Sequence, residues 1–522
     1  MESRCGREPG RLTRRRLLQR ALAGGVVGAA QPVVRVGAQS SGSGTPRPDG
    51  TLKVARLGSP KWLDPALAVV SEEFMITQAI YDNLTRIDER LEARPQLATS
   101  WRPNDKGDVW TFTLRQGVKF HHGRELTARD VVFTLERVLD PKTGSPGRKA
   151  IGPLEKVEAT DDYTVRFKLA APYPDLPLAL GGNFFRIVPA DRAESIATAP
   201  SGTGPFRFVD FRPGDQTRLA KFKDYWDKGL PYVDELWQLN MPQAASQVAS
   251  LAGGEIHVMF EVPIAFVATL ERNPAVALVE VKSPGFQPVS MMTTQKPFTD
   301  NRVRQAMKHL VDREAIIKAV WQGRAEVGED HPVPKFHPFY APTTPKHTYD
   351  VAKAKALLGE AGYPNGFSLE LWTSGERVGL QELAVAVQQM TAPAGVKLEI
   401  KTVPWSVFTA NVWKKQTFYC SNWFGRPTID DMLYPFFHTS GGFNEGQSSH
   451  AQLDKLLEEG QSTIDAQKRK DIYARALQLI HSDGYMVVAY HSSFVTAMRK
   501  NVKGQVVHPL RFWDSRWTYL EA

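Results

Sequence analysis

The sequence predicts an α/β protein with two unlike lobes, and three observations lead to that prediction. Between residues 51 and 239, segments that alternate apolar and polar residues, as strands do, are mixed with helical segments. From about residue 299 onward helical patterns dominate, with strand patterns between them. The 522 residues contain no repeat of solenoid period. The two parts of the chain therefore differ in character while both mix helices with strands.

Alternation and capping residues define the elements of the first part. The pattern predicts strands at 51–57, 110–114, 163–169, 204–211 and 232–239. Apolar residues at helical spacing predict a helix over 72–84. Thr127 is placed to cap a second helix over 128–139, and Pro141 follows its end.

In the second part, aspartates precede apolar residues at helical spacing. The predicted N-caps are Asp300, Asp312, Asp350 and Asp465. Strands are predicted at 368–372 and 397–403, with a helix at about 381–390 between them. This order of strand, helix and strand is typical of an α/β lobe.

The positive charge of the chain is concentrated at its beginning. The formal net charge is +9, and residues 1–38 hold eight arginines and two glutamates, a net of +6. An arginine-rich start, an apolar run over 21–30 and small residues up to Ala38 predict an export signal cleaved after Ala38. Residues 13–19 resemble a twin-arginine signal, with the general secretory route left open. The alternative is a basic arm with no role in export.

Several consequences follow if the signal is removed. Residues 39–50, rich in Ser, Gly and Pro, predict a flexible linker, and the fold begins near Thr51. Cys5 precedes the apolar run, so we expect a periplasmic protein without a lipid anchor, with Cys420 as its one thiol. The remaining charge of only +3 gives no reason to expect a nucleic-acid partner.

The motifs of three enzyme classes are absent from the sequence. There is no H-E-x-x-H, no G-x-S-x-G and no G-x-x-x-x-G-K-[ST]. His121 and His122 are adjacent and lack a third ligand at a suitable spacing, so no metal site is expected. The glycine-rich segment 201–206 favours a turn over a phosphate-binding loop. We therefore expect no catalytic residues, no cofactor and no metal.

Several segments, in one order, resemble the extracytoplasmic solute-binding proteins of family 5, the peptide- and nickel-binding group of ABC importers. The segments that carry the resemblance are LDPA (63–66), YDNL (81–84), PQLATSW (95–101), WTFTLRQGVKFH (110–121), GTGPF (202–206), YW (225–226), PYVD (231–234), VRQA (303–306) with DR (312–313), and ALL (356–358) with AGYP (361–364). The resemblance covers nearly all of residues 51–500.

This resemblance implies a type II periplasmic-binding-protein fold, a two-lobed clamshell with an extra subdomain in the first lobe. The implied boundaries are lobe I over 51–284 with a subdomain at about 87–200, lobe II over 285–491, and a C-terminal return to lobe I over 492–522. A ligand that contacts both lobes favours the closed form.

The resemblance also implies the function. The protein is expected to capture a small solute, peptide-like, an amino-acid conjugate or an oligosaccharide, and to deliver it to an ABC permease in the inner membrane. It is expected to be a monomer and not an enzyme. An exported hydrolase and a binding protein that serves a sensor remain the alternatives.

The ligand site is expected near a tryptophan of lobe II. In dipeptide- and oligopeptide-binding members, an aspartate shortly after a Trp pairs with the α-ammonium of the peptide, and here Arg426 takes that place after Trp423. A guanidinium suits a carboxylate, a phosphate or sugar hydroxyls, so we expect an anionic or polyhydroxylated ligand. The alternative is that Arg426 pairs with Asp430 or Asp431 and only shapes its loop.

Four further residues complete the expected ligand site. Trp423 and Trp405 are expected to pack on apolar faces of the ligand, with a core position as the alternative for Trp405. Phe286, near the predicted lobe crossing, and Ser71, in a loop of lobe I, are candidates by position.

Overall fold

The computed structural model describes residues 50–521, which lie in one compact unit. The predicted export signal and residues 39–49 of the predicted linker are outside the described residues. Within residues 50–521, no helix combines the length and the apolar content required to cross a bilayer.

The strands occur in both parts of the chain. They are β1 (Thr51–Arg56), β2 (Thr85–Ile87), β3 (Ala93–Pro95), β4 (Ala98–Pro103), β5 (Val109–Leu114), β6 (Leu154–Asp161), β7 (Thr164–Leu169), β8 (Phe206–Arg212), β9 (Gln216–Lys221), β10 (Glu235–Asn240), β11 (Val258–Met259), β12 (Val276–Met291), β13 (Ala325–Val327), β14 (Ser368–Thr373), β15 (Lys397–Thr402), β16 (Phe418–Cys420), β17 (Met486–Arg499), β18 (Val502–Lys503) and β19 (Tyr519–Leu520).

The helices concentrate after residue 300. They are α1 (Ser71–Ile80), α2 (Ala128–Leu139), α3 (Leu176–Ala179), α4 (Ala244–Gly253), α5 (Ile264–Glu271), α6 (Asn301–His309), α7 (Arg313–Trp321), α8 (Val351–Glu360), α9 (Leu380–Thr391), α10 (Trp405–Val407), α11 (Ile429–Phe437), α12 (Ala451–Ser462) and α13 (Ala466–Asp483). Four aspartates, Asp300, Asp312, Asp350 and Asp465, cap α6, α7, α8 and α13 through their side chains, as predicted.

Two helices of the first part show where sequence patterns succeed and fail. Helix α2 has the predicted bounds because the carboxylate of Asp130 accepts from the backbone N–H of Thr127 at 3.0 Å and fixes its start. The first predicted helix, 72–84, is too long, since α1 ends at Ile80. Residues 81–84 leave the helix because Asp82 and Asn83 are buried and hydrogen-bonded to segments far along the chain.

An eleven-stranded sheet runs through both lobes. Its strands lie in the order β15-β14-β16-β12-β17-β11-β1-β10-β9-β8, with β13 also paired to β17. The long antiparallel strands β12 and β17 join the two ends of this sheet. Their register shifts between Lys282 and Phe286 and again before Pro288.

The hydrophobic core divides at this register shift. The first half of β12 and the second half of β17 pack into cores drawn from residues before 282 and after 493, with Val281 and Phe494 among them. The other halves pack into cores drawn from residues 286–490. Two lobes therefore share one strand pair. The lobe boundaries predicted at 284/285 and 491/492 stay a prediction, and they fall inside this pair.

Lobe I carries an additional layer with its own core. A four-stranded antiparallel sheet, β4-β5-β7-β6, is covered by α2, and its buried face includes Phe112, Leu135 and Phe167. Arg137 of α2 donates from Nη1 to the buried carboxylate of Asp64 at 2.9 Å, which attaches this subdomain to the segment before α1.

The buried carboxylate of Asp82 holds the C-terminal segment on lobe I. Asp82 accepts from Nε2 of Gln96 at 2.5 Å and from the indole N–H of Trp226 at 2.9 Å. The hydroxyl of Thr203 donates to it at 3.2 Å, and Nη2 of Arg516 lies 3.5 Å away. Four separate segments thus meet at one carboxylate, so these motif residues have a structural role.

Candidate functional site

A cavity of about 1000 Å³ lies between the two lobes. Lobe I lines it with residues near 69–74, 140–150 and 179–185 and with 509–512 of the C-terminal segment, and lobe II with residues 422–443. The aromatic lining residues are Phe74, Phe184, Phe185, Phe286, Trp423, Phe424, Tyr434, Phe443 and Phe512. A concave site with apolar walls and a few charged groups is typical of small-molecule binding.

The structure brings four of the five predicted site residues to this cavity. Ser71, Phe286, Trp423 and Arg426 are among the lining residues. Trp405 is not among the described residues that line it. Its ring is partly buried, stacks on Phe408 with the ring centres 4.9 Å apart and packs against the core of lobe II, the position weighed as its alternative, and contact of Trp405 with the ligand stays a prediction.

Backbone and side-chain bonds both fix the ring of Trp423. The N–H groups of Phe286 and Trp423 each donate to the other's carbonyl, at 3.1 and 3.0 Å. The indole N–H of Trp423 donates to Oε1 of Glu445 at 3.1 Å. Glu445 is fully buried and also accepts from the indole of Trp413 at 2.9 Å and the hydroxyl of Ser290 at 2.5 Å. A satisfied buried carboxylate therefore holds two tryptophans beneath this wall.

Burial also acts on the protonation of Glu445. Loss of contact with water raises the pKa of Glu445, although the donors of Ser290, Ser421 and Trp413 oppose that shift. Glu445 lies outside the expectations from sequence. A lone glutamate after Phe443 and Asn444 gives no signal, because its partners are far away in the chain.

Arg426 was expected either to contact the ligand or to pair with Asp430 or Asp431, and its geometry has features of both. Its Nη1 lies 3.7 Å from Oδ2 of Asp431, too far for a hydrogen bond, and its Cζ lies 5.4 Å from the ring centre of Phe443. Nε of Arg426 is buried and has no acceptor among the described residues. Asp430 is not its partner, since Asp430 accepts from Gln461 at 2.9 Å.

The loop that carries Arg426 rests on the crossing between the lobes. A Cβ atom on Gly425 would collide with the ring of Pro284, so only glycine permits this close approach. The loop that carries Arg426 is therefore packed directly against β12 at the crossing.

Three further charged residues of the lining were missed by sequence reasoning. They are Asp140, Arg148 and Arg511. Asp140 and Arg148 are exposed and flank the end of α2, and Arg511 lies in the C-terminal segment. The only available signal was the proposed return of the C-terminus to lobe I, which gives no information about individual side chains.

An ion pair joins the two lobes beside the cavity. Nη1 and Nη2 of Arg469 each lie 2.6 Å from one carboxylate oxygen of Asp175, and both side chains are buried. Nε of Arg469 donates to the carbonyl of Gly460 at 2.8 Å. Since Asp175 belongs to lobe I and Arg469 to lobe II, this bidentate pair exists only while the lobes are in contact.

A second carboxylate beside this pair, Asp430, favours its protonated form. Burial, and then the negative charge of Asp175, raise the pKa of Asp430 to about 7. Between pH 3.8 and about 7 the native state keeps this proton, whereas the unfolded state has lost it. The raised pKa therefore stabilises the native state fully below pH 3.8, and this stabilisation is lost as the pH rises to about 7.

We expect the substitution Asp430→Asn to remove this pH dependence. The difference in unfolding free energy, variant minus native protein, should increase by about 2–4 kcal/mol from pH 4 to pH 8, because each unit of pKa shift corresponds to ~1.4 kcal/mol. Urea unfolding at both pH values measures the difference. Asp471→Asn, on an exposed face of α13, is the matched control. An equal effect of Asp430→Asn at the two pH values would contradict the prediction.

A cluster of Asp330, His347 and His481 has metal-ligand residue types but no free ligand atoms. Oδ1 and Oδ2 of Asp330 accept from Arg313 at 2.7 and 2.8 Å. Nδ1 of His347 lies 2.7 Å from Asp330, and both ring nitrogens of His481 lie within 3.0 Å of backbone carbonyls. The guanidinium already supplies the positive charge, so the arrangement is a structural network.

Comparison with known proteins agrees with this architecture. Residues 92–444 match the family model described as bacterial extracellular solute-binding proteins, family 5 Middle. The chain is 30% identical over 490 residues to the heme-binding protein A of Haemophilus influenzae, covering 87% of this chain and 89% of the relative.

Two further similarities extend over nearly the same length. The chain is 30% identical over 469 residues to the glutathione-binding protein GsiB of Pectobacterium atrosepticum, covering 86% of this chain and 90% of the relative. The structure of HbpA2 from Haemophilus parasuis matches with a TM-score of 0.81 at 28% identity, covering 91% of this chain and 100% of that one. The two lobes, the inserted subdomain and these matches establish that the chain belongs to family 5 of the bacterial extracellular solute-binding proteins.

Proposed function

We propose that this ABC-transporter solute-binding protein captures an anionic peptide or amino-acid conjugate in the cavity between its lobes. Arg426 carries the proposal for three reasons. It lines the cavity, its Nη1 lies 3.7 Å from Oδ2 of Asp431, too far for a hydrogen bond, and its buried Nε has no acceptor among the described residues. A carboxylate can accept two parallel N–H groups from a guanidinium.

The aromatic walls complete the proposed specificity. Phe286, Trp423 and Phe443 line the same cavity as Arg426, and the ring centre of Phe443 lies 5.4 Å from the Cζ of Arg426. These aromatic side chains suit the apolar parts of a solute whose acidic group meets the guanidinium. Heme and glutathione, after which two of the relatives are named, both carry carboxylates. An acidic solute is therefore compatible with what those names state.

Transport follows from the difference between two forms of the protein. A solute that contacts both lobes stabilises the form in which the lobes meet. In our proposal the inner-membrane permease recognises that loaded form, and the protein itself performs no chemical step. We further propose a periplasmic monomer with the signal cleaved after Ala38, which the intact mass of the exported protein would test.

The substitution Arg426→Ala is expected to weaken solute binding about tenfold to a hundredfold, the range for a lost charge-assisted hydrogen bond. Arg426→Lys keeps the charge without the planar fork and should have an intermediate effect. Isothermal titration calorimetry with glutathione, and with any solute that native mass spectrometry finds copurified, measures the affinities. Arg102→Ala, at an exposed arginine of β4, is the control. Unchanged affinity in Arg426→Ala would refute the proposed contact.

A further inference from the structure

The segment 508–512 holds Arg511 in an unusual backbone conformation at the cavity wall. Its φ of 61° lies in the left-handed region, which favours glycine. The backbone N–H of Arg511 donates to the carbonyl of His508 at 2.8 Å, and the next residues are fixed by a bond from the N–H of Trp513 to Gln78 at 2.9 Å. An arginine in a backbone conformation that favours glycine indicates that its side chain has a functional role.

The guanidinium of Arg511 lies between the lobes with most of its donors unused. Nη1 lies 2.9 Å from Oε1 of Glu261 in lobe I. Cζ lies 4.8 Å from the ring centre of Phe494 in lobe I and 5.6 Å from that of Phe424 in lobe II. Among the described residues, Glu261 is the one side chain that accepts from this guanidinium. Phe424 is two residues before Arg426, so Arg511 packs on the loop that carries the first proposed anion contact.

The charge of the cavity lining is also unbalanced. Three arginines, Arg148, Arg426 and Arg511, face two carboxylates, Asp140 and Asp431. Arg148 is exposed, and no hydrogen bond or ion pair joins its guanidinium to the described residues. One acidic group on the solute would satisfy Arg426 and leave the donors of the other two arginines unused.

We propose that Arg511 forms a second anion subsite in this cavity, so that the transported solute carries at least two acidic groups. The inference rests on the proposed function, since it assigns the second group of a solute whose first group meets Arg426. Such a solute bridges the loop of lobe II and the C-terminal segment on lobe I. Its second acidic group therefore adds to closure as well as to affinity.

The test uses dicarboxylates, each paired with its monoester. The probes are glutathione, γ-glutamylglycine and glycylaspartate with their monoethyl esters, first by thermal shift of the purified protein and then by calorimetry. We expect a diacid to bind at least tenfold more tightly than its monoester. The diacid should lose affinity in both Arg426→Ala and Arg511→Gly, whereas its monoester should be sensitive to only one of these substitutions.

The variant Arg511→Gly separates binding from folding. Glycine adopts a φ of 61° without steric strain, which offsets the loss of the contacts with Glu261 and Phe424. The Tm of the ligand-free variant should therefore stay close to that of the native protein while its affinity for diacids falls at least tenfold. Arg511→Lys should recover part of that affinity.

The outcomes distinguish the two proposals. If Arg426→Ala weakens binding and Arg511→Gly does not, the second subsite is wrong and the proposed function stands. If only Arg511→Gly weakens binding, the contact with Arg426 is wrong and the pairing of two subsites is overturned with it, which leaves Arg511 as a single anion contact. If no diacid raises the Tm, or each monoester raises it as much as its diacid, the second subsite is overturned.

Discussion

Replacing Asp175 with alanine is expected to open the protein. The substitution leaves the guanidinium of Arg469 buried without its counter-charge while the lobes are in contact, at a cost of about 3–5 kcal/mol. Opening exposes the same guanidinium to water, so the cost falls on the closed form alone. The equilibrium should shift toward the open form by about a hundredfold or more. Small-angle X-ray scattering measures the larger radius of gyration.

Two further variants separate this effect from a general loss of stability. Asp105→Ala, in an exposed loop of the subdomain, should leave the scattering curve unchanged. The double variant Asp175→Leu/Arg469→Met replaces the buried pair with apolar side chains and should restore much of the closed population. A closed population in Asp175→Ala as large as in the native protein would show that the pair does not hold the lobes together.

The substitution Asp82→Ala is expected to lower the free energy of unfolding by about 3–5 kcal/mol, as removal of one partner from a buried charge network does. Asp82 is completely buried, and its loss leaves the donors of Gln96, Trp226 and Arg516 without this acceptor. Urea unfolding followed by tryptophan fluorescence measures the change.

The C-terminal segment should respond first to the loss of Asp82. Arg516 lies on that segment, so limited proteolysis of Asp82→Ala should cleave near residues 505–516 sooner than in the native protein. Asp234→Ala, at an exposed position of the same lobe, is the matched control. A loss below about 1 kcal/mol would mean that Asp514, which also pairs with Arg516, suffices to anchor the segment.

Local signals in the sequence predicted the elements whose causes are themselves local. The bounds of α2 follow from Thr127, Asp130 and an amphipathic pattern, all within one segment. The error at 81–84 has the opposite cause, since Asp82 leaves the helical pattern to meet partners more than a hundred residues away. Tertiary hydrogen bonds of this kind override local helix propensity.

The same difference between local and distant causes applies to the candidate site. Arg426 and Trp423 could be placed at the cavity because the motif around them marks a position in the fold, and their contact with a solute stays a prediction. For Trp405, the aromatic character suits a core as well as a cleft, and its packing depends on Phe408 one turn later. The pair of Asp175 and Arg469 joins positions 294 residues apart, and no pattern within either segment indicates it.

The strand pair β12–β17 has a consequence for folding. Because each strand packs into the cores of both lobes, with Val281 and Phe494 on one side and Val289 and Val487 on the other, neither lobe is a self-contained stretch of chain. A fragment that ends at the crossing would lack one strand of each sheet half. The two lobes should therefore unfold together in one cooperative transition, and a chain leaving the ribosome completes its core only after residue 499 has emerged.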